Sequence, residues 1–465
     1  MYPSLQNDLN KIGDILAEVN KQSMQYLQEL PGMPTNSQVI ETVSMSLPDE
    51  GSGTLAAIHA FNTSYPSVLA ASSGPRYWGF VTGGTTPASI AGDWLTTVFD
   101  QNTQSVNGPG GYTALVEQDT IRMILDLFQL PHHFNGGFVT GATMANFTGL
   151  AVARQWAGMQ QGNNIALDGI RTDIKILAAT PHSSVIKCLS MLGLGSKNLE
   201  IIKTLEGNRE AMDMDDLARA LEANKERPVI IISSGGTVNS VDFDDMKGIA
   251  SLRKKYSFYW HVDAAFGGFT ACSDQYRFLL EGWEAADSIA VDCHKWMNVP
   301  YDSAIYLVRK EHASLQVQTF QNSQAPYLGN PEENFSYLNV GPENSRRFRA
   351  LPAWLSLQAY GRKGFAWMVD HSIQMAQALG NRLESETIFT LASPVRLNVV
   401  CFTTKDESGR SEKIAQTLRL LNEHGKVFMT PTMYKGIPCI RAAFVNWRTG
   451  LDDIEIAINE LKQIH

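Results

Sequence analysis

Five cysteines, Cys188, Cys272, Cys293, Cys401 and Cys439, are scattered along the chain, and no Cys-x-x-Cys pair occurs among them. That pattern excludes a disulfide framework and fits a reducing compartment, with the thiols serving as small buried apolar groups. No basic tract accompanies the formal net charge of −9, which argues against nucleic acid as a main partner. No apolar run approaches the ~20 residues that a membrane helix needs. The opening Met1-Tyr-Pro-Ser-Leu-Gln-Asn-Asp8 has neither the basic nor the apolar region of a secretory leader. These absences predict a cytoplasmic protein with no membrane partner. There is no Walker A pattern and no well-placed Gly-x-Gly-x-x-Gly, so nucleoside triphosphate and dinucleotide readings lose ground. Internal repeats and low-complexity segments are also missing.

What is present is an ordinary globular composition, 44% apolar and 18% charged over 465 residues, enough for two or three domains. Residues 3–30 carry a helical apolar stripe of Leu5, Leu9, Ile12, Ile15, Leu16 and Val19. The stripe lies ahead of any sheet and needs a surface to cover it, for which a second subunit is a fitting partner. Residues 31–53 read as an extended connector, and 54–71 as a helix. The loop Arg76-Tyr-Trp-Gly-Phe-Val-Thr-Gly-Gly-Thr-Thr-Pro87 combines three aromatics with three glycines, which suits a pocket wall and equally a loop packed into the core. A helix is expected over 112–129.

From Gly137 strands and helices alternate. Strands are expected at 137–140, 174–179, 199–203, 228–233, 258–262, 288–291 and 303–308, and helices at 144–161, 183–192, 213–224 and 243–255. The alternation predicts an α/β fold with a mostly parallel seven-stranded sheet covered on both faces. After Ser345 come a long helical stretch to about 384, two or three strands, and helices near 411–424 and 451–463. The expected division is an N-terminal helical, dimer-packing segment (1–75), a large α/β domain (76–345) and a small α+β C-terminal domain (346–465).

In such sheets ligands bind at the carboxyl ends of the strands. The stretch Asp292-Cys-His-Lys-Trp296 follows one of these strands, and a lysine just past a buried strand is costly unless paired or neutralised. An imine with an aldehyde cofactor is one chemistry that needs it; a surface lysine in a connecting loop fits this stretch equally. Strand 137–140 leads into Gly141-Ala142-Thr143 and a helix, which suits a phosphate and equally ordinary capping. His182, Thr237 and Asp263 stand at three further strand ends. Singly they read as a cap, a loop hydroxyl and a turn former. Together with Lys295 they supply what pyridoxal phosphate (PLP) requires: an amine, an anion cradle, a carboxylate for the pyridine nitrogen and a flat neighbour for the ring. A metal hydrolase is the rival, since His261 and Asp263 share a strand face and His182 or His294 could complete a site. No metal-ligand spacing supports that rival, and it leaves Lys295 unexplained. No metal is expected. A non-catalytic scaffold predicts no polar set at the strand ends at all.

The segment His261-Val-Asp-Ala-Ala-Phe-Gly-Gly268, with the lysine of His294-Lys295-Trp296 lying 32 residues after Asp263, resembles the group II PLP-dependent amino acid decarboxylases. These include the aromatic amino acid, glutamate and histidine decarboxylases. The resemblance runs from about residue 54 to the C-terminus. It implies the aspartate-aminotransferase-like fold (fold type I) and a homodimer with sites at the subunit interface. It places the internal aldimine on Lys295, His182 over the cofactor ring, Asp263 on the pyridine nitrogen and Ala265 beneath the ring. Ala142, Thr143 and His294 would hold the phosphate beside Gly141, with Thr237 supporting the site. Phe80 and Thr82 would face the substrate, and Arg441 would meet its carboxylate, unless Arg441 serves a structural ion pair.

Two departures stand out. The family often has Asn-Pro before His-Lys, where this chain has Asp292-Cys293, so no phosphate role is carried onto Asp292. Gly141 replaces a serine and removes a hydroxyl donor. The reaction implied is decarboxylation of an L-amino acid to amine and CO2. A carbon–carbon lyase, aldehyde synthase or aminotransferase is the alternative within the same cofactor class. Phe80 falls where glutamate decarboxylases of the family carry a glutamine, which favours an aromatic or apolar substrate. Tyr327, in Gln324-Ala-Pro-Tyr-Leu-Gly329, matches the loop tyrosine that protonates the substrate carbon, a position at which the aldehyde synthases have Phe.

Overall fold

The computed structural model describes residues 1–37, 46–65, 69–106, 111–321 and 335–464. The stripe over 3–30 is carried by two helices, α1 (Pro3–Asn10) and α2 (Ile12–Glu29), which meet at Lys11. Ile15 is buried, whereas Leu5, Leu9, Ile12, Leu16 and Val19 are exposed. Helix α3 (Thr54–Ser64) stops short of the expected residue 71. The next helix, α4 (Pro87–Phe99), was not anticipated. It starts at Thr86, whose side chain accepts from the Ser89 amide at 3.2 Å, with Pro87 as its first residue; both are recognised start signals. Helix α5 (Gly111–Phe128) leads into the sheet.

The strands are β1 (Phe134–Val139), β2 (Lys175–Ala178), β3 (Leu199–Ile201), β4 (Val229–Ser234), β5 (Tyr259–Asp263), β6 (Ser288–Asp292) and β7 (Ala304–Arg309). Their order is β1-β7-β6-β5-β4-β2-β3, and only β7 runs antiparallel to its neighbours. The crossovers carry α6 (Ala142–Met159), α7 (Ile165–Asp168), α8 (Ser183–Met191), α9 (Met214–Ala223) and α10 (Met246–Leu252), the last shorter than expected; α11 (Ala313–Phe320) follows β7. Central strands such as β4 read as continuous apolar runs because both faces are covered. Leu125, Phe128 and Trp260 pack on one side of the sheet, and Leu150, Ile176 and Ile230 on the other.

The C-terminal part holds α12 (Ala350–Ser385), β8 (Phe389–Leu391), β9 (Val399–Thr404), α13 (Arg410–His424), β10 (Thr430–Tyr434), β11 (Ile437–Ala443) and α14 (Leu451–Ile464). Its sheet has four antiparallel strands in the order β10-β11-β9-β8, not two or three. The undercount has a simple origin: β8 is three residues long, and Pro431 within β10 reads against a strand except at an edge, which is where β10 lies. Helix α12 serves both cores. Leu357, Phe365 and Val369 join the large one, and Met375, Leu379 and Leu383 the small one.

A buried ion pair fixes the junction between these parts. Arg346 donates to Glu117 at 2.6 and 3.1 Å, and to the carbonyls of Thr103 and Phe138 at 3.0 and 2.8 Å. Glu117 in turn accepts from the Phe138 amide at 2.8 Å. Removing one charge leaves the other desolvated and unpaired, which costs on the order of 3–5 kcal/mol. Glu117→Gln is therefore expected to lower the urea midpoint by that equivalent, and an unchanged midpoint would show that the pair is dispensable.

Candidate active site

The carboxyl ends of the strands converge on a cavity of about 380 Å³. Gly141, Ala142, Thr143, His182, Thr237, Asp263, Ala265, His294, Lys295, Phe80 and Arg441 all line it. The chain thus brings together every site residue expected from the sequence except Thr82 and Tyr327. Thr82 is buried just behind the wall, and its hydroxyl lies 3.1 Å from that of Tyr301, which does line the cavity. Tyr327 falls in 322–334, outside the described residues.

At the end of β6, Asp292 is buried among the Ala142 amide, the Lys295 ammonium and the His294 ring, whose Nδ1 is hydrogen-bonded to the Ser303 carbonyl at 3.2 Å. Its Oδ1 accepts from the Ala142 amide at 3.0 Å and lies 3.2 Å from His294 Nδ1; its Oδ2 lies 3.0 Å from Lys295 Nζ. The His294 ring stacks on Tyr301 with centroids 4.3 Å apart. Burial holds the His294 imidazole below its ordinary range, against the opposing pull of Asp292.

Asp263 ends a series of donors that run in one direction. The Ser288 hydroxyl bonds His261 Nδ1 at 2.7 Å, His261 Nε2 bonds Asn146 Oδ1 at 2.8 Å, and Asn146 Nδ2 donates to Asp263 Oδ2 at 3.1 Å. The amide of Ala265 donates to Asp263 Oδ1 at 3.2 Å. Both oxygens thus accept from neutral donors, which leaves the carboxylate charge for a ligand. The series disposes of the metal reading of His261: both its nitrogens are engaged, and the ring is fully buried with its pKa lowered to about 3 by desolvation. A side chain at Gly149 would press on this ring, with Nδ1 2.7 Å from the added carbon; the α6–β5 approach therefore needs glycine.

Because the folded His261 resists a proton that the unfolded chain accepts below about pH 6.5, its contribution falls as pH drops from about 6.5 towards 3, by about 1.4 kcal/mol per unit. Asp244, pushed up to about 6 chiefly by burial, works in the opposite sense between about 6 and 4. Comparing wild type with His261→Gln cancels that term. The stability advantage of wild type over His261→Gln should shrink by about 2 kcal/mol from pH 7.5 to 5.0 in urea titrations; a constant gap would contradict the assignment.

The remaining walls come from elsewhere in the chain. His182 caps α8, accepting from the Ser184 amide at 3.2 Å and pairing with the Ser184 hydroxyl at 2.7 Å. Burial lowers its pKa and so favours the neutral form of the ring, an effect partly offset by Asp263. Thr237 lines the cavity but gives its hydroxyl to buried Glu210 at 2.6 Å. Arg441 on β11 is mostly buried and touches neutral groups: the carbonyls of Phe80 at 3.2 Å and Val238 at 3.4 Å. Its Nε is buried without a partner, so the structural ion pair held open from the sequence is absent among the described residues. Phe80, 60% exposed with φ of 55°, packs its ring beside Phe428.

The loop that carries Phe80 is clipped to the lysine segment, since the Gly83 amide donates to the His294 carbonyl at 3.1 Å. A Cβ at Gly83 would collide with the carbonyl oxygen of Lys295. Gly83→Ala is accordingly expected to displace the lysine turn and weaken cofactor binding by at least about tenfold, an effect of about 1.4 kcal/mol. Wild-type affinity in a PLP titration of that variant would show that the turn tolerates the methyl.

Sequence reasoning missed Asn146, Glu210 and Tyr301, and gave Asp292 no place. Asn146 lies one turn into α6 after Gly141-Ala142-Thr143, a helix position that faces the strand ends, and that offset was its only signal. Tyr301 sits in Asn298-Val-Pro-Tyr301 with nothing local to mark it.

The sequence profile described as the pyridoxal-dependent decarboxylase conserved domain matches residues 36–405. The chain belongs to this family. It is 25% identical to an aromatic-L-amino-acid decarboxylase of Bacillus atrophaeus, over 98% of this chain and 95% of that one. It is also 23% identical to a phenylacetaldehyde synthase of a Rosa hybrid cultivar, over 79% of this chain and 76% of the other. Among solved structures, Oryza sativa TDC with PLP and tryptamine superposes with a TM-score of 0.89 at 20% identity, covering 98% and 97% of the two chains. Mouse CSAD in its apo form gives 0.87 at 19% identity, covering 98% and 99%. These likenesses confirm the PLP-dependent fold-type-I architecture. The cavity fits the cofactor: a lysine amine, a carboxylate with neutral partners, a helix N-terminus and the small Ala265 meet in one space. The protein is a PLP-dependent amino acid decarboxylase.

Proposed function

We propose that this decarboxylase acts on an aromatic or apolar L-amino acid, with Lys295 holding the cofactor's aldehyde carbon. The observation that carries the reading is a buried guanidinium with an unpartnered Nε, Arg441, sharing one cavity with the Lys295 amine. A ligand bearing both an amine and a carboxylate satisfies both. Pyridoxal phosphate, when bound, supplies an electron-accepting ring for the pair left on the substrate carbon as CO2 departs. Asp263, fixed through Asn146, would hold a proton at the pyridine nitrogen. His182 and Ala265 would flank the ring, and Thr143 in the first turn of α6 and His294 after β6 would receive the phosphate. Thr237 keeps its hydroxyl on Glu210 and acts as wall. By the resemblance of its segment Gln324-Ala-Pro-Tyr-Leu-Gly329, Tyr327 would return the proton to the substrate carbon.

The substrate side chain would meet rings. Phe80 and Tyr301 line the cavity, and Tyr77 stacks on Phe428 with centroids 4.6 Å apart. A side-chain carboxylate facing Phe80 would find no hydrogen-bond donor in that ring. The similarity to aromatic-L-amino-acid decarboxylase supports the same class.

The exposed apolar residues of α1 and α2, together with Trp94, Leu95, Val98 and Phe99 on α4, support a homodimer packed through the 1–75 segment. The five free, buried thiols support a cytoplasmic location. The division at residues 75 and 345 stays part of this proposal, with α12 as the element shared between the two larger parts.

The test is a screen of the PLP-loaded protein against the amino acids, reading CO2, amine and aldehyde, with borohydride trapping to locate the modified lysine. Amine and CO2 in equal amounts from an aromatic or apolar substrate, with the label on Lys295, is the expected result. Glutamate turnover above all of these, or a label on another lysine, would overturn the reading. Aldehyde in place of amine would assign the synthase chemistry instead.

A further inference from the structure

We infer that Asp292 is a built-in anion at the phosphate end of the site, one that weakens the hold on the cofactor's phosphate. The inference rests on the reading above, in which Lys295 and the N-terminus of α6 receive PLP. The first turn of a helix leaves its amides without intrahelical partners, and together with the helix dipole they favour an anion. Here one of those amides is already taken: Ala142 donates to Asp292 Oδ1 at 3.0 Å. The same carboxylate stands 3.2 Å from His294 Nδ1, whose hydrogen bond runs to the Ser303 carbonyl, and 3.0 Å from Lys295 Nζ, so a phosphate that approaches His294 meets the charge of Asp292.

Asp292 is 3% exposed, so water screens it poorly and a second anion nearby is repelled strongly. Nothing offsets this at Gly141, which offers no hydroxyl. A phosphate entering the site must share donors with Asp292 or displace it. In the cofactor-free chain the same carboxylate does useful structural work, since it ties the Ala142 turn, His294 and Lys295 into one cluster. The consequence is a cofactor retained through Lys295 and the ring contacts more than through its phosphate, and therefore readily exchanged.

The experiment compares PLP with pyridoxal, the same aldehyde without the phosphate. Cofactor-free wild type and Asp292→Asn are titrated with each, following the visible absorbance of the lysine adduct and the quenching of tryptophan fluorescence. Any change in the reactivity of Lys295 affects both aldehydes alike, so the ratio of the two Kd values isolates the phosphate. The preference for PLP over pyridoxal should rise at least about tenfold in Asp292→Asn, and inorganic phosphate should compete with PLP more strongly there than in wild type. Asp292→Ser, measured alongside with thermal melts of all three proteins, should change the preference in the same direction and serves if Asp292→Asn does not fold. An unchanged or reduced preference in the folded variants would overturn the inference and make Asp292 a support of the phosphate. Failure of wild type and variants to form an adduct with either aldehyde would instead overturn the reading of Lys295, and this inference with it.

Discussion

Asp263 keeps its place because Asn146 donates to it, Asn146 because His261 donates to it, and His261 because the Ser288 hydroxyl donates to its other nitrogen. Each donor points the same way, so each bond polarises the next. The series links β6, β5 and α6, and it ends on the carboxylate at the floor of the cavity. It also dictates packing. Gly149 must lack a side chain for α6 to approach His261, and that approach is what brings the first turn of α6, with Ala142 and Thr143, alongside Asp292 and Lys295. A buried neutral histidine is thus the constraint that the cofactor end of the site depends on, although it never reaches the cavity.

The strands and the chemistry at their ends were legible in the sequence, because a strand buried on both faces writes a continuous apolar run and the polar residue that follows it stands out. Lys295, Asp263, His182 and the Gly141-Ala142-Thr143 turn were found on that basis and share one cavity. What stayed hidden depends on contacts between distant segments. Asn146 is one more helical asparagine until His261 is seen across from it. Asp292 looked like a departure to be set aside, whereas in the fold it is the most heavily engaged carboxylate of the lysine segment. Thr237 reads as a site hydroxyl, but its proton goes to Glu210, which sequence distance concealed. Helix α4 was overlooked even though Thr86-Pro87 announces it, because the glycine-rich loop before it drew the reading towards a pocket wall.

The two halves of the site are held to different standards of precision. The cofactor end is built on strand ends and a helix start, each anchored by buried hydrogen bonds. The substrate end is built from a loop and from β11 of the small sheet, joined through carbonyl contacts: Gly83 to His294, and Arg441 to Phe80. A scaffold arranged this way can keep its cofactor chemistry while the residues that read the side chain vary, which is consistent with relatives whose names span several substrates.

The contact between Arg441 and the Phe80 carbonyl joins residues 361 positions apart in the chain. On the ribosome, Lys295, Asp263 and the helix turn all emerge well before β11. A chain that has been made only as far as the lysine turn therefore lacks both the guanidinium that completes the cavity and the α12 residues that fill the large core. Competence towards an amino acid waits on the synthesis of more than a hundred residues, from Lys295 to Arg441.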